Sequence, residues 1–256
     1  MHEYSTLITE FKEISNKKWI KSISKSFGSI GLTFENELKK KPDALFFPDY
    51  YGIEIKCTSR YSQYPLYLFT LAFDGPTFPE INRIIELYGY PDKDFNNKKV
   101  LFSKVFAHKK TVLKDKYKFQ LEVNKSDQKV YLKVYDMDNE LIEKKSFVYF
   151  DSIYNHLVTK LSKLAIVYAS KKKIDNSEYY RYYKMSLYKL ISFDKFIELL
   201  TNGTIIVDLI SRISKSGADI GRHRNKNLVF SIRKEEIEKL FDKIGEIDLD
   251  NKKHAI

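Results

Sequence analysis

The sequence predicts a mixed α/β fold, with helices at the start of the chain and a sheet at its centre. Helical periodicity comes first, short apolar strands follow, and the two patterns then alternate along the chain. The chain has 256 residues, 43% of them hydrophobic, which is enough for one large domain or two small ones. Because no repeat or low-complexity linker interrupts it, we expect a single domain over residues 1–256, with two lobes as the open alternative.

Helices are predicted where apolar residues recur every three or four positions. Leu7, Phe11 and Ile14 show this spacing in the first helix, and Thr33 is placed to cap the second. The Asn202-Gly203 pair is a suitable C-terminal end for the last helix. The predicted helices cover residues 5–25, 31–41, 79–88, 150–164 and 193–202.

Strands are predicted where apolar residues alternate with polar ones or form short uninterrupted runs. The predicted strands cover residues 52–58, 66–73, 99–106, 117–124, 129–135, 164–170, 178–188, 204–213 and 227–233. An acidic segment, residues 235–250, closes the chain, and no element is assigned to it.

Composition favours a polyanionic partner. The 45 Lys and Arg residues exceed the 34 Asp and Glu residues by 11, and a basic excess of this size suits nucleic acid, although many basic proteins bind none. The lone cysteine, Cys57, excludes a disulfide framework or a cysteine-based zinc site within the chain. We find no signal peptide and no apolar run long enough to cross a membrane, and we therefore expect a cytoplasmic protein without a membrane partner.

The segment FPDYYGIEIKCTSR, residues 47–60, places charges inside an apolar strand. An acid two residues before a lysine is common here, because six such pairs occur in the chain, so the pattern alone indicates little. Strand alternation puts Glu54 and Lys56 on one face, with Asp49 five residues before Glu54 and directly after Pro48. The alternative is an edge strand with a solvated Glu–Lys pair.

This spacing is suited to the hydrolysis of a phosphodiester. Asp49 and Glu54 are placed to share a divalent cation, with the carbonyl of Ile55 as a further oxygen ligand, and Mg²⁺ prefers such ligands together with water and phosphate. The metal would polarise the scissile phosphate and activate a water molecule. Lys56 would orient or deprotonate that water, or stabilise charge in the transition state.

The sequence around this strand resembles the PD-(D/E)xK nucleases. Three motifs carry the resemblance: Gly31 to Glu35 in the second helix, Pro48-Asp49, and Gly-Ile-Glu-Ile-Lys at residues 52–56. The sequence is most similar to the MvaI/BcnI-type restriction endonucleases of the MutH-like branch. Softer similarity extends over residues 150–169, 178–187 and 202–209.

The resemblance implies a restriction-endonuclease-like core, a central mixed sheet flanked by helices, with a catalytic and a DNA-recognition lobe. The catalytic core would span about residues 1–110 plus 150–170, and the recognition portion about 171–234. It also implies a Type II enzyme that uses Mg²⁺ to cut double-stranded DNA, leaving 5′-phosphate and 3′-hydroxyl ends. A monomer is implied, with a cognate DNA methyltransferase as a functional rather than physical partner.

The family's functional residues can be carried over onto matching positions. Its metal-binding Asp corresponds to Asp49, its Glu to Glu54 and its Lys to Lys56, while Glu35 corresponds to a helix glutamate that supports the metal site. Two alternatives remain: a MutH-like strand-nicking endonuclease of mismatch repair, and a catalytically silent DNA-binding protein. The intact Asp49, Glu54 and Lys56 argue against the second.

Residues 209–234 are the predicted DNA-reading segment, because they hold seven Lys and Arg residues and one acid. Arginine offers two donors that match guanine in the major groove, so we expect a short site containing G·C pairs. If the two strands here pair, Arg212 and Arg233 are expected to enter one groove and read adjacent G·C pairs. The arginines stand two residues away from the family pattern, which leaves the target sequence open. The candidate DNA-binding residues are Arg212, Lys215, Arg222, His223, Arg224 and Arg233.

Overall fold

The computed structural model describes residues 2–26, 28–39, 48 and 50–250, and it divides the chain into two compact units. The first unit, here the N-terminal unit, comprises residues 1–64, 158–191 and 241–256. The second, here the insert unit, comprises residues 65–157 and 192–240. Within the described residues, no helix is both long enough and apolar enough to span a membrane.

The elements are as follows. The α-helices are α1 (Ser5–Asn16), α2 (Ser29–Glu37), α3 (Glu80–Tyr88), α4 (Phe150–Leu161) and α5 (Phe193–Thr201). The strands are β1 (Ile20–Lys21), β2 (Glu54–Ser59), β3 (Leu66–Leu71), β4 (Tyr90–Pro91), β5 (Lys99–Val105), β6 (Thr111–Leu113), β7 (Tyr117–Asn124), β8 (Lys129–Tyr135), β9 (Leu141–Glu143), β10 (Phe147–Tyr149), β11 (Lys163–Ile174), β12 (Ser177–Leu190), β13 (Ile205–Ile213), β14 (His223–Ile232) and β15 (Phe241–Asp248). Short 3₁₀ helices cover His2–Tyr4 and Lys234–Lys239.

The N-terminal unit is built on one mixed sheet. The strand order is β1-β12-β11-β2, and β15 also pairs with β12. β2 and β11 run parallel, whereas the other pairs are antiparallel. This sheet and its flanking helices confirm the predicted mixed α/β core.

One face of the mixed sheet packs against the first two helices. Ile55 of β2 and Val167 of β11 belong to the same buried cluster as Phe11 of α1 and Phe34 of α2. Tyr182 of β12 lies in this core, where its hydroxyl donates to the Ile30 carbonyl at 2.7 Å and burial raises the pKa of the phenol. The opposite face of β2 is therefore left to its polar side chains, because successive residues of a strand alternate.

The insert unit contains two antiparallel sheets. One has the order β10-β8-β7-β6, with β9 beside β8, and the other has the order β3-β14-β13-β5-β4. An aromatic cluster packs on the second sheet: the rings of Phe69 and Phe230 stack at 4.8 Å, and Phe196 of α5 lies 5.8 Å from Phe69. This packing covers one face of the β3-β14-β13-β5-β4 sheet.

Two sequence-based expectations for the first helices were wrong. The helix predicted over residues 5–25 ends at Asn16, and Lys18 adopts a positive φ of 62°, which helices do not tolerate. The chain then forms β1, which pairs with Tyr179 and Tyr180. Thr33 does not cap α2, because Gly28 occupies the capping position and the Thr33 hydroxyl donates to the Ser29 carbonyl inside the helix.

Six strands of the described structure have no counterpart in the predicted set, and β1 and β4 among them have only two residues each. β6, β9 and β10 are three residues long each, too short for alternation to be recognised. β15 lies in the acidic segment, where charge hides the strand pattern. Its Glu246 contacts Lys184 and Ser186 of β12. Burial raises the pKa of Glu246, but hydrogen bonds from Lys243, Lys184 and Ser186 outweigh it and lower the pKa to about 2.

A buried carboxylate ties α3 to the neighbouring sheet of the insert unit. Glu80 is 1% exposed, and its Oε1 accepts from Arg83 at 2.5 Å and from Ser146 at 2.6 Å. Arg83 also bonds to Glu143 at 2.9 Å. Burial opposes ionisation of Glu80, but hydrogen bonds from Arg83, Ser146 and Thr77 outweigh it and lower the pKa of this carboxyl.

We expect Glu80→Gln to lower the free energy of unfolding by about 1.5–3 kcal/mol at pH 7, as for a hydrogen bond to a charged group. The pKa of Glu80 is depressed in the folded state, so its contribution is present above the unfolded carboxyl pKa and is lost as the pH falls through the folded value. Urea unfolding of both proteins across this pH range measures the effect. Glu86→Gln on the same helix is the matched control, because its exposed pair with Lys99 should contribute less than about 1 kcal/mol.

Candidate active site and DNA-binding surface

A tight turn introduces the charged strand. The amide of Tyr50 donates to the Ile53 carbonyl and the amide of Ile53 to the Tyr50 carbonyl, both at 2.9 Å. Tyr51 and Gly52, between them, have positive φ values of 48° and 80°. Two central residues in this region are typical of a type I′ hairpin turn, for which glycine is favoured. The turn fixes the position at which β2 begins.

Glu54 lies at the first position of β2, beside Leu164 of the parallel strand β11. Its side chain is 2% exposed, and its Oε1 lies 2.6 Å from the Nζ of Lys56. The Nζ of Lys160, near the end of α4, lies 3.7 Å from the same oxygen. The structure thus brings together the predicted pair and a second lysine that the sequence did not indicate.

The two ammonium groups compensate a buried charge. An isolated carboxylate in a protein interior is strongly disfavoured, and opposite charges at hydrogen-bonding distance offset that cost. The side chains of Lys56 and Lys160 are 13% and 26% exposed, so both reach solvent more readily than Glu54 does. An acid that is buried and two cations that are accessible suit an anionic ligand approaching from solvent. β2 does lie at the edge of the described sheet, but the alternative of a solvated Glu–Lys pair on an edge strand is wrong for Glu54, which is buried.

Glu35 lies on α2, which packs against β2. A methyl group added at Gly31, one turn earlier, would meet the Glu35 Oε1 at 3.8 Å, an ordinary contact. Glu37, two residues later, instead pairs with Lys17 at 2.6 Å on another side of the helix. The two glutamates therefore lie on different sides of α2, and the role of Glu35 stays a prediction.

The donor set that the structure describes is suited to a hard cation. Carboxylate oxygens of Glu54 and Glu35, and the carbonyl of Ile55, are the ligand types that Mg²⁺ prefers. Asp49 lies outside the described residues. Among the residues that are described, no three His, Cys, Asp or Glu side chains converge closely enough to hold a metal ion.

The predicted DNA-reading segment, residues 209–234, contains most of an antiparallel hairpin of β13 and β14. Arg212 pairs with Arg224 across the two strands, and Ile205 pairs with Ile232. Arg233 therefore follows the far end of β14, about 26 Å from Arg212 at the usual rise of a strand. The expectation that Arg212 and Arg233 read adjacent base pairs is wrong, because the strands are antiparallel. The residue that shares the position and face of Arg212 is Arg224.

Other predicted DNA-binding residues already contact protein groups. Lys215 forms ion pairs with Asp92 and Asp94, the latter at 2.9 Å. Arg222 pairs with Asp219 at 3.0 Å. The Nδ1 of His223 lies 3.2 Å from the Ser211 hydroxyl. Lys215 and Arg222 thus help to hold the loop between the strands, whatever else they bind.

Asp208 is a polar residue of this sheet that the sequence reading missed. It lies on β13 between Lys104 of β5 and Val229 of β14, and alternation places it on the same face as Arg212. Its Oδ1 is buried and accepts no hydrogen bond within the described residues. Burial raises the pKa of Asp208, and the charges of Lys104 and Arg212 only partly counteract that. The signal that could have identified it is a single acid within the apolar run of residues 205–210.

Comparisons with solved structures give matches over nearly the full chain. The complex of the restriction endonuclease MvaI with its cognate DNA is 27% identical, with a TM-score of 0.87, over 97% of this chain and 99% of that one. The structure of MvaI without DNA, at 23% identity, shares the fold with a TM-score of 0.60, over 96% of this chain and 98% of that one. No curated protein matches the sequence significantly.

A buried Glu-x-Lys strand in a mixed sheet, together with this likeness, defines the class of protein as a site-specific deoxyribonuclease. A model of the MvaI/BcnI restriction endonuclease family matches residues 8–241. The chain therefore belongs to the MvaI/BcnI restriction endonuclease family, and the resemblance first seen in residues 31–56 is confirmed.

We expect Gly52→Ala to lower the free energy of unfolding by about 1–2 kcal/mol, the cost of a left-handed conformation for a residue with a side chain. The added methyl group meets no atom within 4 Å, so the backbone conformation alone is the cause. Thermal unfolding with cleavage assays measures both consequences. Gly52→Asn should lose less, because asparagine tolerates positive φ. A larger loss from asparagine than from alanine would contradict this account of the turn.

Proposed function

We propose that this restriction endonuclease is a Type II enzyme that uses Mg²⁺ to hydrolyse both strands of double-stranded DNA at a short, G·C-containing site. The observation that carries the proposal is the buried Glu54 carboxylate with Lys56 at 2.6 Å, at the start of a strand preceded by Pro48-Asp49. The DNA in the related MvaI complex supports double-stranded DNA as the substrate.

Glu54, Asp49 and the Ile55 carbonyl would hold the metal, with Glu35 in support. When bound, Mg²⁺ supplies a Lewis acid that polarises the scissile phosphate and makes water more acidic. The ion pair with Glu54 fixes the ammonium group of Lys56. This group orients the attacking water, or it donates hydrogen bonds to the phosphate oxygens and stabilises the negative charge that develops on them. Water attacks phosphorus and the bond to the 3′ oxygen breaks, which leaves 5′-phosphate and 3′-hydroxyl ends.

Lys160 is a positioning residue in this scheme. Its ammonium group lies on the same Glu54 oxygen as Lys56, but 1.1 Å farther away, at 3.7 Å rather than 2.6 Å. A second cation near the same oxygen helps to hold the Glu54 carboxylate in place, and Glu54 in turn holds the ammonium group of Lys56. Lys160 therefore supports the geometry of the Glu54–Lys56 pair.

The open face of the β3-β14-β13-β5-β4 sheet is the proposed base-reading surface. Arg212 and Arg224 are exposed cross-strand neighbours there, and each can offer two donors to guanine. Asp208 lies on the same face as Arg212; because its Oδ1 is buried, its second carboxylate oxygen would be the acceptor for the amino group of cytosine. Donors and an acceptor on one face are what recognition of a G·C pair needs.

The oligomeric state, the cellular compartment and the functional partner of the enzyme are proposed as follows. The chain would act as a monomer and cut the two strands in separate events, in the cytoplasm. A methyltransferase of the same specificity would protect the host DNA. Incubation with Mg²⁺ and plasmid distinguishes the candidate functions, because discrete fragments indicate a restriction enzyme, nicked circles indicate a MutH-like nicking enzyme, and intact plasmid indicates a binding protein.

We expect Lys56→Ala and Asp49→Ala each to reduce the single-turnover cleavage rate by at least about 10²–10⁴-fold, because water activation acts on the transition state. Specific binding, measured with Ca²⁺ in place of Mg²⁺, should change little. Glu35→Gln should give a smaller loss, and Glu37→Gln, on the same helix but paired with Lys17, is the matched control. Cleavage by Lys56→Ala at near wild-type rate would show that β2 is not the catalytic strand.

We expect Arg212→Ala to cost about 1–3 kcal/mol of binding to the correct site and to relax base choice at one position only. Affinity for the cognate site and for every single-base variant measures this. Arg233→Ala, at the other end of the hairpin, is the comparison: equal losses on all sequences would mark it as a phosphate contact.

The variant Asp208→Asn distinguishes a role of this residue in base recognition from a role in stabilising the fold. Burial raises the pKa of Asp208, so the folded state binds the proton more tightly, and ionisation reduces stability as the pH rises above the ordinary carboxyl pKa. The variant should therefore keep or raise the melting temperature at pH 7 while it loses sequence discrimination. A lower melting temperature with unchanged discrimination would make Asp208 a structural residue.

A further inference from the structure

A cavity of about 430 Å³ opens where β2 leaves the mixed sheet. β2 pairs with β11 up to Ser59 and Ala169, and the amide of Arg60 still donates to the Ala169 carbonyl at 2.9 Å. β11 then continues to Ile174 with β12 as its partner. The lining of the cavity comes from residues 59–61 and 170–173.

The lining is strongly basic. It includes Arg60 and three successive lysines, residues 171–173. Lys171 lies 2.5 Å from Glu178, and Arg60 lies 3.5 Å from Asp250, which also pairs with Arg181. Four cations thus face two acids, so positive charge remains in excess. A concave surface of this kind repels metal cations, disfavours apolar ligands and attracts anions.

Two of the cavity's four cations are held in place by aromatic rings. The Nζ of Lys172 lies 4.1 Å from the ring centre of Trp19, and the guanidinium of Arg60 lies 5.3 Å from that of Tyr183. Cation–π contacts restrict these long side chains before any ligand arrives, which reduces the entropy lost on binding. Ser59 and Ser170 add hydroxyl donors to the lining. The charges and donors match a phosphate group.

The cavity's central residues share a face with the catalytic pair. Ile166 pairs with Lys56, and Ser170 and Lys172 alternate with Ile166 along β11, so they lie on the same face of the sheet. Lys172 is six residues beyond Ile166, about 20 Å along the strand. That length corresponds to about six base pairs of duplex DNA.

We propose that this cavity binds one phosphate of the DNA backbone in the duplex flanking the cleaved site. The proposal rests on the proposed double-stranded DNA substrate, and it adds a contact that is separate from both the catalytic strand and the base-reading face. Such a contact neutralises one phosphate without regard to sequence, and it holds flanking duplex against the face of the sheet that carries Glu54 and Lys56.

The test compares the double variant Lys172→Gln/Lys173→Gln with wild type on two duplexes that contain the same site. One has long flanks, and the other ends about three base pairs from the site on each side. With Ca²⁺ present, the variant should bind the long duplex about tenfold more weakly, with the salt slope reduced by about one, and the short duplex as well as wild type does. The double variant Lys12→Gln/Lys25→Gln, at exposed positions of the same unit, is the matched control.

Single neutral methylphosphonates, scanned along the flanks, identify the phosphate. A methylphosphonate at one flank position should weaken DNA binding by the wild-type protein and have no effect on DNA binding by the cavity variant. The proposal would be overturned if the cavity variant lost the same affinity for the long and the short duplex, or if the control variant lost as much affinity as the cavity variant. Millimolar phosphate that stabilises wild type but not the variant, with no sensitive flank position, would assign the cavity to a free anion and overturn it as well. If wild type neither binds nor cuts any duplex, the proposed function fails instead.

Discussion

The parallel pairing of β2 with β11 is the constraint on which the rest of the catalytic region depends. Its register, from Glu54 opposite Leu164 to Ser59 opposite Ala169, decides which side chains of β2 enter the core and which face away from it. A slip of one residue would exchange the two sets, burying Lys56 against α1 and α2 and exposing Ile55. Because α4 ends at Leu161, just before β11, the same pairing also brings Lys160 to Glu54.

The acids Glu80, Glu246 and Asp208, of which only Glu80 is fully buried, differ in how their charge is compensated. Glu80 and Glu246 are held by cations and hydroxyls, and their pKa values are lowered, as expected of groups that stabilise the fold in the charged form. Asp208 has a raised pKa and a buried oxygen without a hydrogen bond inside the described structure. A group that weakens the fold in its ionised form is a candidate for function, since stability gives no reason for its presence.

Much of the fold and part of the site could be predicted because their signals are local. Apolar periodicity identified α3, α4, α5 and the longer strands, and the charges of β2 stood out against its apolar context. The contribution of Lys160 could not be predicted, because it depends on a pairing between distant segments. The hairpin register that separates Arg212 from Arg233 required the strand direction, and β15 was hidden by its charge. The role of Asp49 and the identity of the metal stay predictions.

The same parallel pairing has a consequence for the order in which the enzyme is made. Glu54 and Leu164 are 110 residues apart, and β12, which supports β11 on its other side, ends only at Leu190. Contacts so far apart in sequence form late, because the intervening chain must be closed first. A nascent chain on the ribosome carries Glu54 and Lys56 long before it carries the strands that order them. The Glu54–Lys56 pair therefore takes its folded arrangement only after most of the chain has been made.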